Sequence, residues 1–369
     1  MRWALLATAL AASLVAGSFV AGSVVDRLRG HDLPAPAPTD QQAPRPTSTP
    51  GSASGWNDLG DISDAFGART VKSVMPRPDG GLVAFGQDRV SGPVVWVSDD
   101  GIDWTETHQS KGVFSDSIPT SGALGGPGML VLGSDVSVRA AQRAIWQSTD
   151  GRTWTESPDP SAKLQTNATD LTMTSGPAGV IVWRPSGTVW VSTDGATWTP
   201  GDVGHPGITD MTVDANGFVA VGQSGSNAFL VTSADGLSWG APRQQAAPAG
   251  TQVGIEQASG GTEAIWIGEQ LWQRTAAGWH AVAGATVPKV PDASSIVGGQ
   301  TDLAAVGSVT GGDTYRAWTW PGSGDWSSTR QTAEAGSAAP TVISVVPHGT
   351  GWYVLTGRGS SLHGWMLEP

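Results

Sequence analysis

The stretch Val191-Ser-Thr-Asp-Gly-Ala-Thr-Trp-Thr-Pro200 (VSTDGATWTP) decides the fold, because its central phrase Ser-x-Asp-Gly-x-x-Trp recurs along the chain. Copies with the same internal spacing begin at Ser98, Ser148 and Ser233. The matching residues are Ser98, Asp100, Gly101 and Trp104; Ser148, Asp150, Gly151 and Trp154; Ser192, Asp194, Gly195 and Trp198; and Ser233, Asp235, Gly236 and Trp239. Identical spacing in every copy predicts a repeated structural unit.

The period of the repeat indicates the type of unit. Degenerate copies of the phrase end at Trp279 and Trp326, and a Gly-Trp pair at Trp56 precedes the series. Successive tryptophans in this series are 40 to 50 residues apart. A repeat of this length is typical of the four-stranded blades of a β-propeller.

Short apolar runs before each phrase supply the strands of the unit. The leading runs are 71–75, 171–174, 208–213, 253–257, 294–297 and 342–346. Second runs, most of them closed by Gly, are 81–86, 128–133, 179–183, 217–222, 264–268 and 303–307. Third runs are 94–98, 144–148, 188–192, 229–233 and 270–274. With the strand after the Trp, each unit has four strands, which are too few to bury their own faces without neighbours.

The last unit predicts how the ring closes. Residues 340–369 provide three strands and then the chain stops, whereas residues 55–59 (GWNDL) resemble a fourth strand that has no blade of its own. Pairing 55–59 with 363–367 would protect two strand edges at once. We therefore predict an all-β, seven-bladed propeller over residues 55–369, closed by an N-terminal strand.

The phrase suits the turn between the third and fourth strands of a blade. Asp-Gly tolerates the positive φ that such a turn requires. The carboxylate can accept hydrogen bonds from backbone N–H groups, the Ser hydroxyl can add another, and the indole can lie between adjacent blades. We interpret these residues as structural, without a role in calcium or substrate binding.

This hairpin resembles the Asp-box, or bacterial neuraminidase repeat, of the sialidase-like superfamily. The Gly here follows the Asp directly, which is one residue closer than in the commonest form. The resemblance implies a propeller whose boxes lie on the face opposite the ligand site. It also implies what a catalytic member needs: three arginines that grip a carboxylate, a Tyr nucleophile with a Glu partner, and an Asp acid/base.

Catalytic features of that family are sparse in this chain. Of its two tyrosines, Tyr353 lies in an apolar strand and we expect it in the core. Tyr315 follows Gly-Gly-Asp-Thr, and we place it in a loop of the sixth blade. The aromatic-Arg-Ile-Pro motif that opens sialidase domains is absent, and the six histidines lack metal-ligand spacing. We predict no metal and no cofactor, and a non-catalytic member of the superfamily.

Two predicted loops carry groups that suit a carboxylated sugar or a protein. Between the second and third strands, one loop contains Arg139 and Arg143, and another contains Asp313, Tyr315 and Arg316. Arginine there can make charge-assisted hydrogen bonds to a carboxylate. The alternative is that all five are solvated loop residues.

Composition excludes several classes of function. The chain of 369 residues contains no Cys, so disulfides, thiolate metal sites and cysteine nucleophiles are ruled out. Its net charge is −12, which argues against nucleic acid and against an anionic membrane surface as partners of the propeller. We expect a monomer.

The N-terminal region predicts a location outside the cytoplasm. Residues 3–25 form an uncharged apolar stretch of 23 residues, long enough to span a bilayer as a helix. Residues 1–31 are therefore a signal anchor; the alternatives are a signal peptide cleaved after Gly17 or Gly22, or a buried helix. Residues 32–54, rich in Pro, Ala, Thr and Ser, are predicted to be an extended spacer.

Together these patterns predict a non-catalytic binding or scaffold module for a cell-envelope protein or glycan. The propeller is expected to be extracellular, on a single-pass membrane anchor or otherwise secreted. The alternative function is that of an exo-sialidase-like glycoside hydrolase, degenerate or atypical.

Overall fold

The computed structural model describes residues 55–369, except 89–91, 110–112, 115–116, 127, 136–142, 158–169, 215, 259–262, 276–277, 288–292, 310–312 and 334–337. The predicted N-terminal helix and the spacer lie outside the described residues. Seven separate sheets are present, and each has four antiparallel strands hydrogen-bonded in sequence.

Six blades are local in sequence. Blade 1 contains β2 (Thr70–Pro76), β3 (Leu82–Asp88), β4 (Gly92–Ser98) and β5 (Thr105–Thr107). Blade 2 contains β6 (Ser117–Gly125), β7 (Gly128–Asp135), β8 (Arg143–Ser148) and β9 (Thr155–Glu156). Blade 3 contains β10 (Thr172–Gly176), β11 (Gly179–Trp183), β12 (Thr188–Ser192) and β13 (Thr199–Asp202).

The second half of the ring repeats this arrangement. Blade 4 contains β14 (Ile208–Asp214), β15 (Gly217–Ser224), β16 (Asn227–Ser233) and β17 (Arg243–Ala246). Blade 5 contains β18 (Val253–Gln257), β19 (Glu263–Ile267), β20 (Gln270–Thr275) and β21 (Gly278–Thr286). Blade 6 contains β22 (Ala293–Gly298), β23 (Leu303–Ser308), β24 (Thr314–Trp320) and β25 (Ser327–Thr332).

Blade 7 joins the two ends of the described chain, as the sequence predicts. It contains β26 (Thr341–His348), β27 (Gly351–Arg358), β28 (Ser361–Leu367) and, as its outer strand, β1 (Trp56–Asp61). In the β1–β28 ladder, Trp56 lies opposite Leu367 and Asp58 lies opposite Trp365. The first strand of each blade contacts the first strands of both neighbours, and contacts between β26 and β2 complete the ring. The seven-bladed all-β propeller is therefore confirmed.

The core is divided among the blade interfaces. Seven clusters of buried apolar side chains are present, and each combines residues from two adjacent blades. In the interface of blades 2 and 3, for example, Leu130 and Leu132 pack against Val180, Val182 and Trp198. Because apolar burial drives folding, the ring is stabilised by contacts between blades more than within them.

Two elements were not expected from the sequence. A short helix, α1 (Ser63–Phe66), follows β1 and buries Phe66 against Trp96 and Trp104, with ring centroids 5.0 and 5.4 Å apart. Strand β6 forms the inner edge of blade 2 although its sequence, SIPTSGALG, lacks an apolar run.

The inner strands are joined by a repeated polar contact. Five of them have a register shift. The residue that follows it is polar in four of these strands, namely Ser73, Ser121, Asp210 and Ser344, and is Ile296 in β22. Ser344 Oγ contacts both N and O of Val74 in the next blade at 3.2 Å, and Ser121 Oγ contacts N and O of Met173 at 2.9 and 3.4 Å. The hydroxyls of Ser344 and Ser121 thus each accept from one backbone N–H and donate to one backbone carbonyl.

Candidate functional site

The repeated phrase forms a compact hydrogen-bonded turn. In the copy at Ser192, Asp194 Oδ1 accepts the N–H groups of Ala196 and Thr197 at 2.8 and 2.7 Å, and Ser192 Oγ accepts that of Gly195 at 2.9 Å. These backbone donors lower the pKa of Asp194 to about 2. The Trp198 indole donates to the carbonyl of Gly195 at 3.2 Å.

The other three copies have the same contacts. The Asp carboxylates accept two backbone N–H groups at distances between 2.7 and 2.9 Å. The glycines have φ between 71° and 76° in all four copies, a conformation that L side chains rarely adopt. The carboxylate of each Asp therefore makes its hydrogen bonds within its own turn.

Blade 5 replaces this turn by an ion-pair cluster. Arg274 stands where blades 1 to 4 have Ser, and the distance from it to Trp279 is one residue shorter than in the intact phrases. Arg274 Nη1 lies 2.7 Å from Asp214 Oδ2 of blade 4 and 3.0 Å from Glu263 Oε2 of blade 5. Burial raises the pKa of Glu263, and the bonds from Arg274 oppose that shift.

The shorter spacing changes the position of the tryptophan. Trp279 lies within β21, directly opposite Arg274, whereas Trp198 follows a full turn and is 2% exposed. Trp279 and Trp272 are only partly buried, and the Trp272 indole N–H has no hydrogen-bond partner among the described residues. A space lined by both tryptophans lies between blades 4 and 5.

This space is an apolar groove of about 130 Å³, which we call the blade 4/5 groove. Blade 4 contributes residues from β15, β16 and β17, and blade 5 contributes residues from all four of its strands. The lining residues are Val221, Ala228, Phe229, Leu230, Arg243, Gln244, Gln245, Val253, Ile265, Ile267, Trp272 and Trp279. An apolar cavity of similar size can hold a benzene ring.

The strand register sets which polar side chains border the groove. Ala228 and Leu230 pack in the cluster between blades 4 and 5. Gln245 lies opposite Ala228, and Arg243 lies opposite Leu230, in the β16–β17 ladder. Directly opposite residues project from the same face of a sheet. Arg243 and Gln245 are exposed and therefore stand at the mouth of the groove.

Sequence reasoning missed these residues. Strand β17 reads RQQA and has no apolar pattern, and the role of Arg243 depends on its pairing with β16. The available signal was the degenerate phrase itself, because the blade that borders the groove is one that lacks the Ser, the Asp and one residue of spacing.

The structure describes three of the five predicted ligand side chains, those of Asp313, Tyr315 and Arg316. Arg139 and the side chain of Arg143 lie outside the described residues. Asp313 Oδ1 lies 2.6 Å from Arg358 Nη2, and the Arg316 guanidinium stacks 4.9 Å from the ring centre of Trp318. Both side chains thus have partners within blades 6 and 7.

The placement of Tyr315 in a loop is wrong. Tyr315 is the second residue of β24, is 0% exposed, and packs in the core between blades 6 and 7. Alternation along β24 directs Tyr315 and Ala317 to that interface. Tyr353 is also 0% exposed, and its hydroxyl donates to the Gly101 carbonyl at 3.1 Å. Burial raises the pKa of Tyr353, so neither phenol is placed to attack a ligand at the surface.

The described part of the chain contains neither a metal cluster nor a membrane-spanning helix. No group of three or more His, Asp or Glu side chains there could hold a metal ion. Among the same residues, no helix is long and apolar enough to cross a membrane.

Comparison with known proteins assigns no family to the chain. No protein-family model matches the sequence, and no curated protein matches it. The structure of BBS1N in complex with ARL6DN is 12% identical, with a TM-score of 0.49, and the match covers 85% of this chain and 97% of that one. A mutant of the Aleuria aurantia lectin AAL in complex with Fucalpha1-6GlcNAc is 16% identical, with a TM-score of 0.42 and coverage of 74% and 97%.

A chain of the mitotic checkpoint complex is 12% identical, with a TM-score of 0.48, and the match covers 90% of this chain and all of that one. None of these comparisons assigns the chain to the superfamily that the Asp-box hairpin resembles.

Proposed function

We propose that this protein is an extracytoplasmic binding module, a propeller that residues 1–54 hold at the outer surface of a membrane and that captures a cell-envelope protein or glycan. We assign it, on the resemblance of its turns, to the non-catalytic members of the Asp-box propellers. The observation that carries the binding role is the blade 4/5 groove, an apolar recess with two partly buried tryptophans and a polar mouth. Recesses of this kind are the usual ligand sites of folded proteins.

The positions of the tyrosines and of the repeated aspartates favour binding over catalysis. A sialidase-like reaction would require a Tyr nucleophile, but both tyrosines of the chain are in the core, and the aspartates of the four repeated phrases are held by their own turns. The apolar stretch 3–25 and the Pro-rich spacer that follows support the proposed location.

The location can be tested with a single engineered cysteine, because the chain has none. Ser323→Cys, at an exposed turn, should react with a membrane-impermeant maleimide on intact cells that express the full chain. Met129→Cys, at a fully buried position, is the matched control and should react only after denaturation. Reaction of the Ser323→Cys variant only after permeabilisation would contradict an extracytoplasmic propeller.

Binding can be tested with the purified full chain on arrays that carry envelope glycans and peptides. The proposal predicts a saturable signal on one of the two arrays, and no turnover of a fluorogenic sialoside. A folded protein that gives no saturable signal on either array, or that hydrolyses the sialoside, would refute the binding-module role.

A further inference from the structure

We propose that the blade 4/5 groove binds an extended acidic peptide segment, which adds a strand to the free edge of β17 and inserts one large apolar side chain between the blades. This inference rests on the proposed binding function and specifies its ligand. It concerns a protein partner and excludes a glycan at this site.

The interior of the groove favours an apolar group. Its walls are formed by Val221, Leu230, Ile265 and the two tryptophans, and its volume of about 130 Å³ suits a single branched or aromatic side chain. A sugar ring carries several hydroxyl groups, each of which would lose hydrogen bonds to water on entering such a space. The apolar lining offers few replacements.

The edge of β17 provides the backbone partner. Arg243–Ala246 are all exposed, and β17 pairs on one side only, with β16. In an antiparallel strand, alternate N–H and C=O groups point away from the paired neighbour and can bind an added strand. Because side chains alternate between the two faces, a peptide on this edge directs every second residue towards the groove.

Charge complementarity selects the flanking residues of the peptide. Arg243 stands at the mouth of the groove, and among the described residues no carboxylate lies within ion-pair distance of it. Arg274, the other arginine of this interface, is neutralised by Asp214 and Glu263. The free cation at the mouth is therefore Arg243, and a carboxylate next to the inserted side chain would satisfy it.

The test is a selection of random peptides displayed on phage, with the immobilised full chain as target. Enriched peptides should share one large apolar residue with Asp or Glu one or two positions away. Arg243→Glu should weaken synthetic versions of these peptides by about tenfold, because it replaces attraction by repulsion at an exposed position that does not affect folding. Leu230→Asn, which makes the wall polar, should weaken them at least as much.

Arg330→Glu is the matched control, since Arg330 is exposed on β25, the outer strand of blade 6. It should change the affinity by less than about twofold. Melting temperatures near that of the unmodified chain would show that all three variants are folded.

Three results would overturn this inference: no enriched peptide, enriched peptides without the apolar and acidic residues, or equal weakening by Arg243→Glu and Arg330→Glu. A saturable glycan signal alongside any of these would leave the binding-module role standing and move its ligand site away from the blade 4/5 groove. If neither Arg243→Glu nor Leu230→Asn weakened peptide binding, the binding-module role would also stand, and its ligand site would lie away from the blade 4/5 groove.

Discussion

Trp56 and Trp365 pack edge to face, with ring centroids 5.9 Å apart and ring planes at 88°. One residue begins the outer strand of blade 7, and the other lies in the neighbouring strand β28. Their contact therefore joins the two ends of the described chain in one sheet. The Trp56 indole also donates to Thr329 Oγ1 of blade 6 at 2.9 Å, so the same ring links the composite blade to its neighbour.

Trp56→Ala should destabilise the protein by about 3–5 kcal/mol, because Trp56 is 2% exposed and its removal leaves a cavity at the point where the ring closes. Urea denaturation followed by circular dichroism measures this change. Asn57→Ala is the neighbouring control: its exposed amide contacts Glu368, and its loss should cost less than about 1 kcal/mol. Similar losses for both variants would contradict closure through β1.

The hydrogen-bonded turn of the repeated phrase should make the stability of the protein depend on pH in the acid range. Asp194→Ala should cost about 1–2 kcal/mol near pH 7, since the N–H groups of Ala196 and Thr197 lose their acceptor. The turn lowers the pKa of Asp194 to about 2, below the usual value of 3.8. The stabilisation is thus present above about pH 4 and is lost as the pH falls towards 2.

Denaturant titrations at pH 7 and at pH 2.5 test whether the stabilisation by Asp194 is lost as the pH falls. The difference in free energy of unfolding between the unmodified chain and Asp194→Ala should be smaller at the lower pH. Asp202→Ala, in the outer strand of the same blade, is a control whose carboxylate accepts one backbone N–H among the described residues, that of Gly204. If the difference in free energy of unfolding were the same at both pH values, the charge of the carboxylate would have no part in stabilising the turn.

The ring could be predicted from the sequence because its determinants are local and repeated. The Asp-Gly pair fixes the turn, the Trp fixes the interface, and both recur at blade length. Strand β6 was missed because Pro119, Ser121 and Gly122 interrupt its apolar pattern, and its place in the sheet comes from pairing with β7. The short helix α1 was missed because one buried side chain, Phe66, anchors it.

The candidate site was harder to predict because it depends on differences between blades. Tyr315 follows loop-forming residues, yet its register opposite Ser308 in β23 places it in the core. Arg243 and Gln245 look like ordinary surface residues until their pairing with Leu230 and Ala228 is known. A repeat pattern predicts what blades share, whereas the blade 4/5 groove arises where one blade departs from it.

The ion-pair cluster of blade 5 should be sensitive to loss of its cation. Arg274→Met would leave Asp214 and Glu263, whose side chains are 7% and 3% exposed, without a counter-charge, at a cost of about 3–5 kcal/mol. Arg184→Met removes the more exposed pair with Asp170 and should cost less than about 1 kcal/mol. Chemical denaturation of both variants gives the comparison, and a cost for Arg274→Met no larger than that for Arg184→Met would show that the cluster is not required.

Asp210 occupies the position at which three other inner strands have Ser. Its Oδ2 accepts the Ile255 N–H at 2.8 Å, while Oδ1 is buried without a partner among the described residues. Burial, and then the charge of Glu256, raise the pKa of Asp210 well above its usual value. Asp210→Ser should therefore raise the melting temperature at pH 8 more than at pH 5, since Ser supplies a donor and an acceptor without a charge.

The reverse exchange provides the control for Asp210. Ser344→Asp places a carboxylate at the equivalent contact with Val74 and should lower the melting temperature, increasingly so as the pH rises. An Asp210→Ser variant that is less stable at pH 8 would mean that the carboxylate has a role that the repeat does not explain.

Glu256, on the inner strand of blade 5, also makes stability depend on pH. Burial raises the pKa of Glu256 from 4.5 to about 8, although its Oε1 accepts the Gly298 N–H at 3.2 Å. A carboxyl whose pKa is higher in the folded than in the unfolded state stabilises the fold fully below pH 4.5. That contribution is lost as the pH rises from 4.5 to about 8.

Glu256→Gln should flatten the fall in melting temperature between pH 5 and pH 8, because the amide keeps an acceptor for Gly298 and carries no charge. Glu156→Gln, in the exposed strand β9, should leave the profile unchanged. An identical pH profile for the unmodified chain and for Glu256→Gln would show that Glu256 ionises as easily in the folded ring as in the unfolded chain. The inner strand of blade 5 would then have to be open to water at this residue.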